Sequence, residues 1–197
     1  MRNAYALLGA IFLLVFAGAY VAFDRAHAPT TEGDLPDTNT HTIMTLTSPA
    51  FEEGGIIPSK YTCDGDNVNP ELHVAGVPEG AASLVLVMDD PDIPDAVKER
   101  LGTEKFDHWV LYNIPADTSV IAENTSVGNE GLTSRGETGY VGSCPPDGEH
   151  RYIFRLYALS GTLNFLVAPT LDEVETAAAS MALESTTLTG RYSRVQE

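Results

Sequence analysis

Apolar and β-branched residues along this chain fall into short runs, and turn-forming residues separate the runs. The runs are rich in Val, Ile, Leu, Phe and Tyr, and clusters of Pro, Gly, Asn and Asp bound them. This pattern predicts β-strands at residues 43–47, 71–77, 83–89, 108–114 and 150–159. A last strand is predicted near residues 186–191.

One segment carries its apolar residues at helical spacing. Residues 170–184 begin with Thr170 and place Glu173 three positions later, which is the arrangement of a capping box ahead of an alanine-rich stretch. The apolar stripe of this helix consists of Val174, Ala177, Ala178 and Met181. We expect the stripe to face a core. Strands followed by one late helix predict a mainly β fold, a mostly antiparallel β-sandwich with a C-terminal helix.

The first 28 residues differ in character from the rest of the chain. Residues 4–23 form a 20-residue apolar run that follows Arg2, and an Ala-His-Ala sequence ends at Ala28. The tripeptide suits a signal peptidase, whereas the length of the run also suits a retained membrane anchor, so both alternatives stay open. Under either alternative the protein is exported, to the periplasm or extracytoplasmic space or tethered to the outer face of the cytoplasmic membrane.

The remaining chain is predicted to contain one folded domain. Residues 29–41 are polar and poor in apolar side chains, which is typical of a linker. Residues 42–197 form the domain, because a 197-residue chain with 43% hydrophobic content can bury one substantial core but not two.

The charge balance excludes one class of partner. The chain has 28 acidic and 11 basic residues and a formal net charge of −17 at pH 7. An acidic surface of this kind repels the phosphate backbone of nucleic acids, so no nucleic-acid partner is expected.

Carboxylates directly follow one of the predicted strands. The sequence VLVMDDPDIP places Asp89, Asp90 and Asp92 at the strand end, and its two prolines restrict the chain there. Carboxylates held at a strand end can accept hydrogen bonds or form ion pairs.

Two other predicted strands begin with a histidine. FDHWVLYNIP contains His108 beside Trp109, and GEHRY contains His150, Arg151 and Tyr152 after the stiff turn GSCPP. Because side chains alternate along a strand, we expect Arg151 to point away from His150 and to form a structural ion pair. The same alternation predicts that Trp109 lies in the core.

Together these motifs resemble the phosphatidylethanolamine-binding protein family, in its bacterial and archaeal branch of Raf kinase inhibitor-like proteins. DDPDIP, HWVLYNIP and GSCPPDGEHRYIFRLYAL carry the resemblance, and KYTCDGDNVNPEL upstream and LTGRYSR near the end agree with it. The likeness spans residues 43–194. It implies a β-sandwich with a small anion-accepting pocket at one end.

The resemblance also implies which residues form that pocket and bind a phosphate or a phospholipid head group. They are Asp90, Asp92, Pro94, His108, Cys144, Pro145, His150 and Tyr152. Imidazoles can donate N–H bonds, and a turn can present backbone N–H groups to an anion. We interpret one or both aspartates as holding a histidine in its tautomer and favouring its protonated form.

The family fold would also bring the turns YTCDG and GSCPP close to the pocket. For an exported chain, the resemblance therefore implies a disulfide between Cys63 and Cys144.

The expected function is binding or regulation without catalysis. No activated nucleophile, metal-ligand spacing or nucleotide-binding glycine loop accompanies these motifs, so we expect no catalytic residue, no metal and no cofactor. Inhibition of a protease or kinase through protein contacts is an open alternative, and a hydrolase is a less favoured one because GxSxG is lacking. The expected partners are a small phosphate-like anion or phospholipid head group, a protease or kinase, and the membrane if the N-terminal segment is uncleaved.

Overall fold

A computed structural model describes residues 42–194 of the chain. The predicted targeting segment at residues 1–28 and the predicted linker at residues 29–41 lie outside the described residues, as do the last three residues of the domain. Neither helix described below is long and apolar enough to cross a lipid bilayer.

Strands dominate the described part of the chain. The strands are β1 (Thr45–Thr47), β2 (Gly55–Ile56), β3 (Leu72–Ala75), β4 (Ser83–Asp90), β5 (Phe106–Pro115), β6 (Val120–Ile121), β7 (Asn129–Glu130), β8 (Glu149–Leu159) and β9 (Ala182–Ser193). The α-helices are α1 (Asp95–Leu101) and α2 (Leu171–Ala178). All six predicted strands and the predicted helix are present.

The strands form two sheets. The smaller sheet is antiparallel in the order β1-β3-β6, and the larger has the order β2-β9-β8-β4-β5-β7. The large sheet is antiparallel except where β2 pairs in parallel with β9. The mainly β prediction is confirmed, and the β2–β9 pair makes the larger sheet mixed.

The main core lies between the two sheets. Alternate residues of β4 and β8 meet residues of the small sheet there, and all are buried. They include Leu46, Leu72, Val74, Leu84, Leu86, Met88, Phe154 and Leu156. Each such side chain contributes about 1.5 to 3 kcal/mol on full burial, so this layer holds the sandwich together.

The opposite face of the large sheet is covered by α2. Val85, Val87 and Val110 pack there with Val174 and Ala178, two residues of the predicted helical stripe. Because both of its faces are covered, every residue of β4 is buried.

The ends of α2 show where local preference and tertiary pairing each prevail. The helix begins with the predicted capping box, in which Thr170 and Glu173 exchange side-chain and backbone hydrogen bonds. It ends at Ala178, earlier than the predicted 170–184 segment. Residues from Ala182 onward pair with β8 instead, and this pairing overrides the helical propensity of the sequence.

The sequence pattern does not reveal α1. Its sequence DAVKERL buries no side chain, so no apolar periodicity marks it. The helix ends at Gly102, whose φ of 69° is a left-handed conformation that glycine adopts without steric cost.

The implied disulfide between Cys63 and Cys144 is present. Its two Cα atoms lie 5.4 Å apart across 81 positions of sequence. The two turns also meet through the backbone, because the Cys63 N–H donates to the Ser143 carbonyl at 3.1 Å.

A buried charge cluster lies on the outer face of the large sheet, near α2. Asp89 is fully buried and pairs with Arg155, and the Nζ atom of Lys105 lies 3.7 Å from Asp89 and 3.1 Å from Glu175. Burial raises the pKa of the neighbouring Asp107 to about 7, and nearby carboxylates add to the shift against Lys105. Ionisation of Asp107 therefore lowers the stability of the folded protein.

Replacing Asp107 with Asn is expected to stabilise the protein at pH 8.5 and to change its stability little at pH 4. The folded-state pKa lies above the unfolded one, so stability falls as pH rises between about 4 and about 7. Asn lacks the charge and avoids this loss, which is on the order of 2 kcal/mol once partial exposure is allowed for. Urea unfolding at both pH values measures the difference, with Glu79→Gln as the control, because Glu79 is an exposed carboxylate outside this charge cluster. Equal effects of Asp107→Asn at the two pH values would contradict the prediction.

Candidate anion-binding site

Three strands bring their ends together at one edge of the large sheet. β4 runs antiparallel to both β5 and β8, so its carboxyl end lies between their amino ends. Asp90 is opposite Phe106 of β5, and Asp89 is opposite Ile153 of β8. The polar residues predicted from three separate strand ends are therefore neighbours in space.

A pocket of about 220 Å³ opens at this edge. Its lining residues are Asp90, Ile93, Val97, Arg100, Phe106, His108, Arg135, Val141, Gly142, Cys144 and Pro146. Because drug-sized ligands occupy larger cavities, of roughly 300 Å³ or more, this volume suits a small ligand.

Three of the eight residues predicted for the pocket belong to its lining, namely Asp90, His108 and Cys144. The other five surround it. Pro94 is the N-cap residue of α1, and Pro145 is buried beside the lining residue Pro146. His150 contacts Asp90, and Tyr152 contacts His108. Asp92 contacts Arg151. Direct contact of these five residues with a ligand stays a prediction.

A β-bulge sets the orientation of His108. The pairing of β5 with β4 passes from Trp109–Met88 directly to Asp107–Asp89, which leaves His108 as an extra residue. Trp109 lies in the inner core as predicted, and Asp107 lies on the outer face. The extra residue allows His108 to turn inward together with Trp109, where regular alternation would separate them.

The tautomer of His108 follows from one hydrogen bond. Its Nδ1 atom lies 2.7 Å from the carbonyl oxygen of Val141, which can only accept, so Nδ1 carries the proton. The ring packs between Phe106 and Tyr152, at centroid distances of 4.8 and 5.2 Å. Burial lowers the pKa of His108 to about 4 despite the bond to Val141. At neutral pH the ring is therefore neutral, and its Nε2 atom is an acceptor.

His150 has the opposite character. Its Nδ1 lies 2.7 Å from Oδ2 of Asp90, and its Nε2 lies 3.2 Å from Oδ1 of Asp147. Burial disfavours the charged ring, but the two carboxylates outweigh burial and raise the pKa of His150. A carboxylate within hydrogen-bond distance of each nitrogen favours the doubly protonated ring, which places a positive charge behind Asp90.

The two aspartates of the DPD sequence have separate partners. Asp90 is 2% exposed, and its Oδ1 accepts the backbone N–H of Asp92 at 2.8 Å. Burial raises the pKa of Asp90, and the hydrogen bonds from His150 and Asp92 oppose the shift. Asp92 instead accepts two bonds from the guanidinium of Arg151, at 2.8 and 2.6 Å, which lower its pKa to about 2. Asp90 thus orients a histidine, and Arg151 forms the predicted ion pair.

Tyr152 supports the site from behind. It is fully buried, its ring meets the His108 ring edge-on, and burial raises the pKa of its hydroxyl above the usual range. The tyrosine therefore fixes the position of the imidazole that lines the pocket.

Two arginines of the lining, Arg100 and Arg135, were not predicted from the sequence. Arg100 lies near the end of α1, and Arg135 lies in a turn closed by a 2.9 Å bond from the Thr133 N–H to the Glu137 carbonyl. Every other lysine and arginine of residues 42–194 forms an ion pair with a carboxylate. Because the chain has only 11 basic residues against 28 acidic ones, each arginine could have been considered as a candidate anion-binding residue.

The two sheets and the pocket at the strand ends define a β-sandwich protein with a small end cavity. The profile of the phosphatidylethanolamine-binding protein family matches residues 47–193, and this chain belongs to that family. The resemblance drawn from the motifs is thereby confirmed, and membership supports a binding protein of this type.

Related proteins agree with this assignment. A UPF0098 protein of Methanothermobacter thermautotrophicus is 40% identical over 158 residues, which cover 77% of this chain and 99% of the relative. The crystal structure of a phosphatidylethanolamine-binding protein homolog from Chlamydia trachomatis is similar with a TM-score of 0.74 at 37% identity, covering 78% of this chain and 99% of the homolog. The structure of YbcL from Escherichia coli, at 24% identity and a TM-score of 0.68 over 77% of this chain and 99% of YbcL, shows the same fold.

Proposed function

We propose that this protein binds a small phosphate-like anion, free or as a lipid head group, in the pocket at the strand ends, and that it acts by binding and not by catalysis. The observation that carries the proposal is the pair of arginines at the pocket. Arg100 and Arg135 are the two cationic side chains of residues 42–194 that no carboxylate neutralises there.

The charge distribution around the pocket supports an anionic ligand. Arg100 and Arg135 lie at its exposed rim, and the His150 imidazolium stands behind Asp90. Because His150 is paired with Asp90 and Asp147, Arg100 and Arg135 are the positive charges that face a ligand, in a chain of net charge −17. An anion there can accept charge-assisted hydrogen bonds, each of which contributes about 1.5 to 3 kcal/mol.

The chemistry of the lining supports binding without turnover. The sulfur of Cys144 is in a disulfide, so that residue has no thiol to act as a nucleophile. The polar lining side chains on the strands are Asp90, which accepts a hydrogen bond from His150, and His108, whose neutral ring has no hydroxyl or thiol partner among residues 42–194.

Export is part of the same proposal. A disulfide persists in oxidising compartments such as the periplasm, and this supports a site of action outside the cytoplasm. The predicted targeting segment at residues 1–28 leads to the same location.

Replacing Arg100 or Arg135 with Gln is expected to weaken phosphate binding roughly tenfold for each residue, because each change removes a charge-assisted hydrogen bond worth about 1.4 kcal/mol or more. Calorimetric titration of inorganic phosphate at constant ionic strength measures the affinities. Arg191→Gln is the matched control, because Arg191 is paired with Glu149 away from the pocket. Affinities unchanged in both pocket variants would remove this pocket from the function of the protein.

A further inference from the structure

A second pocket, of about 280 Å³, opens beside the edge strand β7. Its lining includes Trp109 of β5, Glu130 of β7 and the segments at residues 67–69 and 124–126. Every lining residue except Val68 carries a polar group in its side chain. We propose that this second pocket binds a neutral ligand rich in hydroxyl groups, namely a single sugar or polyol unit.

The indole N–H of Trp109 is the reason to expect a ligand here. Trp109 is 1% exposed, and its Nε1 atom has no acceptor within residues 42–194. The same nitrogen is not among the fully buried unpaired atoms of those residues, so the small exposed part of the ring includes it. A donor in this position needs an acceptor that enters the pocket. Because the rest of the ring is buried, the residue offers a ligand one hydrogen bond and little apolar surface.

The carboxylate of Glu130 lies on the same face of the sheet as the Trp109 ring. Glu130 is opposite Leu111 in the β5–β7 pair, and Leu111 is two residues from Trp109, so all three side chains point to one side. Glu130 has no hydrogen-bond or ion-pair partner within residues 42–194, and its oxygens are not fully buried. The pocket therefore presents a free acceptor beside a free donor.

Hydrogen bonds hold the opposite wall of the pocket in place. Asn69 is 3% exposed, donates to two backbone carbonyls at 3.2 and 2.9 Å, and accepts the backbone N–H of Thr125 at 3.0 Å. Asn67 accepts the backbone N–H of Gly142 at 2.8 Å through Oδ1, which leaves its amide N–H groups as donors. A wall fixed in this way loses little conformational freedom when a ligand binds.

The donor and the acceptor together define the class of ligand. A hydroxyl group can accept from Trp109 and donate to Glu130, and adjacent hydroxyls on a sugar can do both at once. An anion would be repelled by Glu130, a cation could not accept from Trp109, and an apolar ligand would leave both groups unpaired. Cavities for drug-sized ligands begin at roughly 300 Å³, so this volume suits one sugar ring.

This inference does not depend on the proposed anion site, because the two pockets share no lining residue. Trp109 is the single tryptophan of the chain, so its indole N–H gives one NMR signal that reports directly on the second pocket.

Sugar titrations of the full ¹⁵N-labelled 197-residue chain in mild detergent at pH 7 test the proposal. D-glucose, D-galactose and D-mannose are each compared with the corresponding uronate, which adds one carboxylate. We expect a saturable shift of the indole signal with at least one neutral sugar, and binding of its uronate weaker by roughly tenfold or more. If no neutral sugar shifts the signal up to about 0.1 M, water alone accepts from Trp109 and the proposal fails. Equal affinities within every pair contradict the role of Glu130 and the selection of neutral ligands.

Variants assign the binding to the two groups. Glu130→Gln removes the charged acceptor and should weaken the affinity for the neutral sugar roughly tenfold, and Trp109→Phe removes the N–H and should weaken it roughly fivefold, both measured by calorimetry. Glu79→Gln changes an exposed carboxylate outside the pocket, and Arg100→Gln changes the anion pocket, so both should keep the wild-type affinity. Wild-type affinity in a folded Glu130→Gln protein contradicts the assignment. If Trp109→Phe does not fold, Glu130→Gln still decides it, because Glu130 lies on an edge strand and is partly exposed.

Discussion

Loss of the Cys63–Cys144 disulfide is expected to lower the free energy of unfolding by about 4 kcal/mol. The bond closes a loop of 81 residues, and in the chain-entropy description a loop of this length restricts the unfolded chain by roughly 4 to 5 kcal/mol. Urea unfolding of the Cys63→Ser/Cys144→Ser double variant, compared with the oxidised wild type, measures the loss.

The reductant provides the matched control for this experiment. Reduced wild type should unfold at the same urea concentration as the double variant, and reductant should leave the double variant unchanged. A loss below about 1 kcal/mol would show that the bond constrains little of the unfolded chain. Because Cys144 lines the pocket, phosphate affinity should also fall on reduction.

Replacing Asp90 with Ala is expected to cost about 3 kcal/mol near pH 6 and about 1 kcal/mol near pH 9. Near pH 6 the change leaves a buried imidazolium without its main partner. The pKa of His150 is raised in the folded protein, so the stability from its charge is fully present below the unfolded pKa of about 6.5. That stability is lost as pH rises through the folded pKa, above which only the hydrogen bond from the neutral imidazole to the Asp90 carboxylate remains to be lost.

Asp92→Ala is the matched control for Asp90→Ala. Asp92 belongs to the same loop, but its partner Arg151 is more than half exposed, so its loss should cost about 1 kcal/mol or less. Because the pKa of Asp92 is about 2, this cost should not change between pH 5 and pH 9. Chemical unfolding of both variants at the two pH values provides the comparison. A pH-independent cost for Asp90→Ala would contradict the assigned ion pair.

The sequence predicts the parts of this fold that depend on periodicity. β4, β5 and β8 lie within two residues of their predicted bounds, since long apolar runs between turn residues leave few alternatives. The start of α2 is predicted because a capping box is a local interaction. The polar helix α1, the two-residue strands and the early start of β9 at Ala182 depend on tertiary pairing, which no local pattern records.

Some features of the candidate site could likewise be predicted and others could not. The convergence of Asp90, His108 and His150 was implied by the family resemblance, and the antiparallel pairing of β4 with β5 and β8 produces it. The bulge at His108 could not, because one extra residue in a strand leaves no mark in its composition. The different protonation of the two histidines also depends on the fold: His108 meets a carbonyl group in an apolar site, whereas His150 lies between two carboxylates.

Arg100 and Arg135, which form no ion pair within residues 42–194, also bear on how fast the proposed anion would reach the pocket. Far from the pocket, an approaching anion experiences the net charge of −17 and is repelled, and within a Debye length, about 8 Å at physiological ionic strength, Arg100 and Arg135 attract it. Moderate salt screens the long-range repulsion between the anion and the acidic surface more than it screens the short-range attraction to Arg100 and Arg135. We therefore expect the proposed anion binding to be fastest at intermediate salt, with slow association in dilute buffer caused by the charge of the whole surface and not by the pocket.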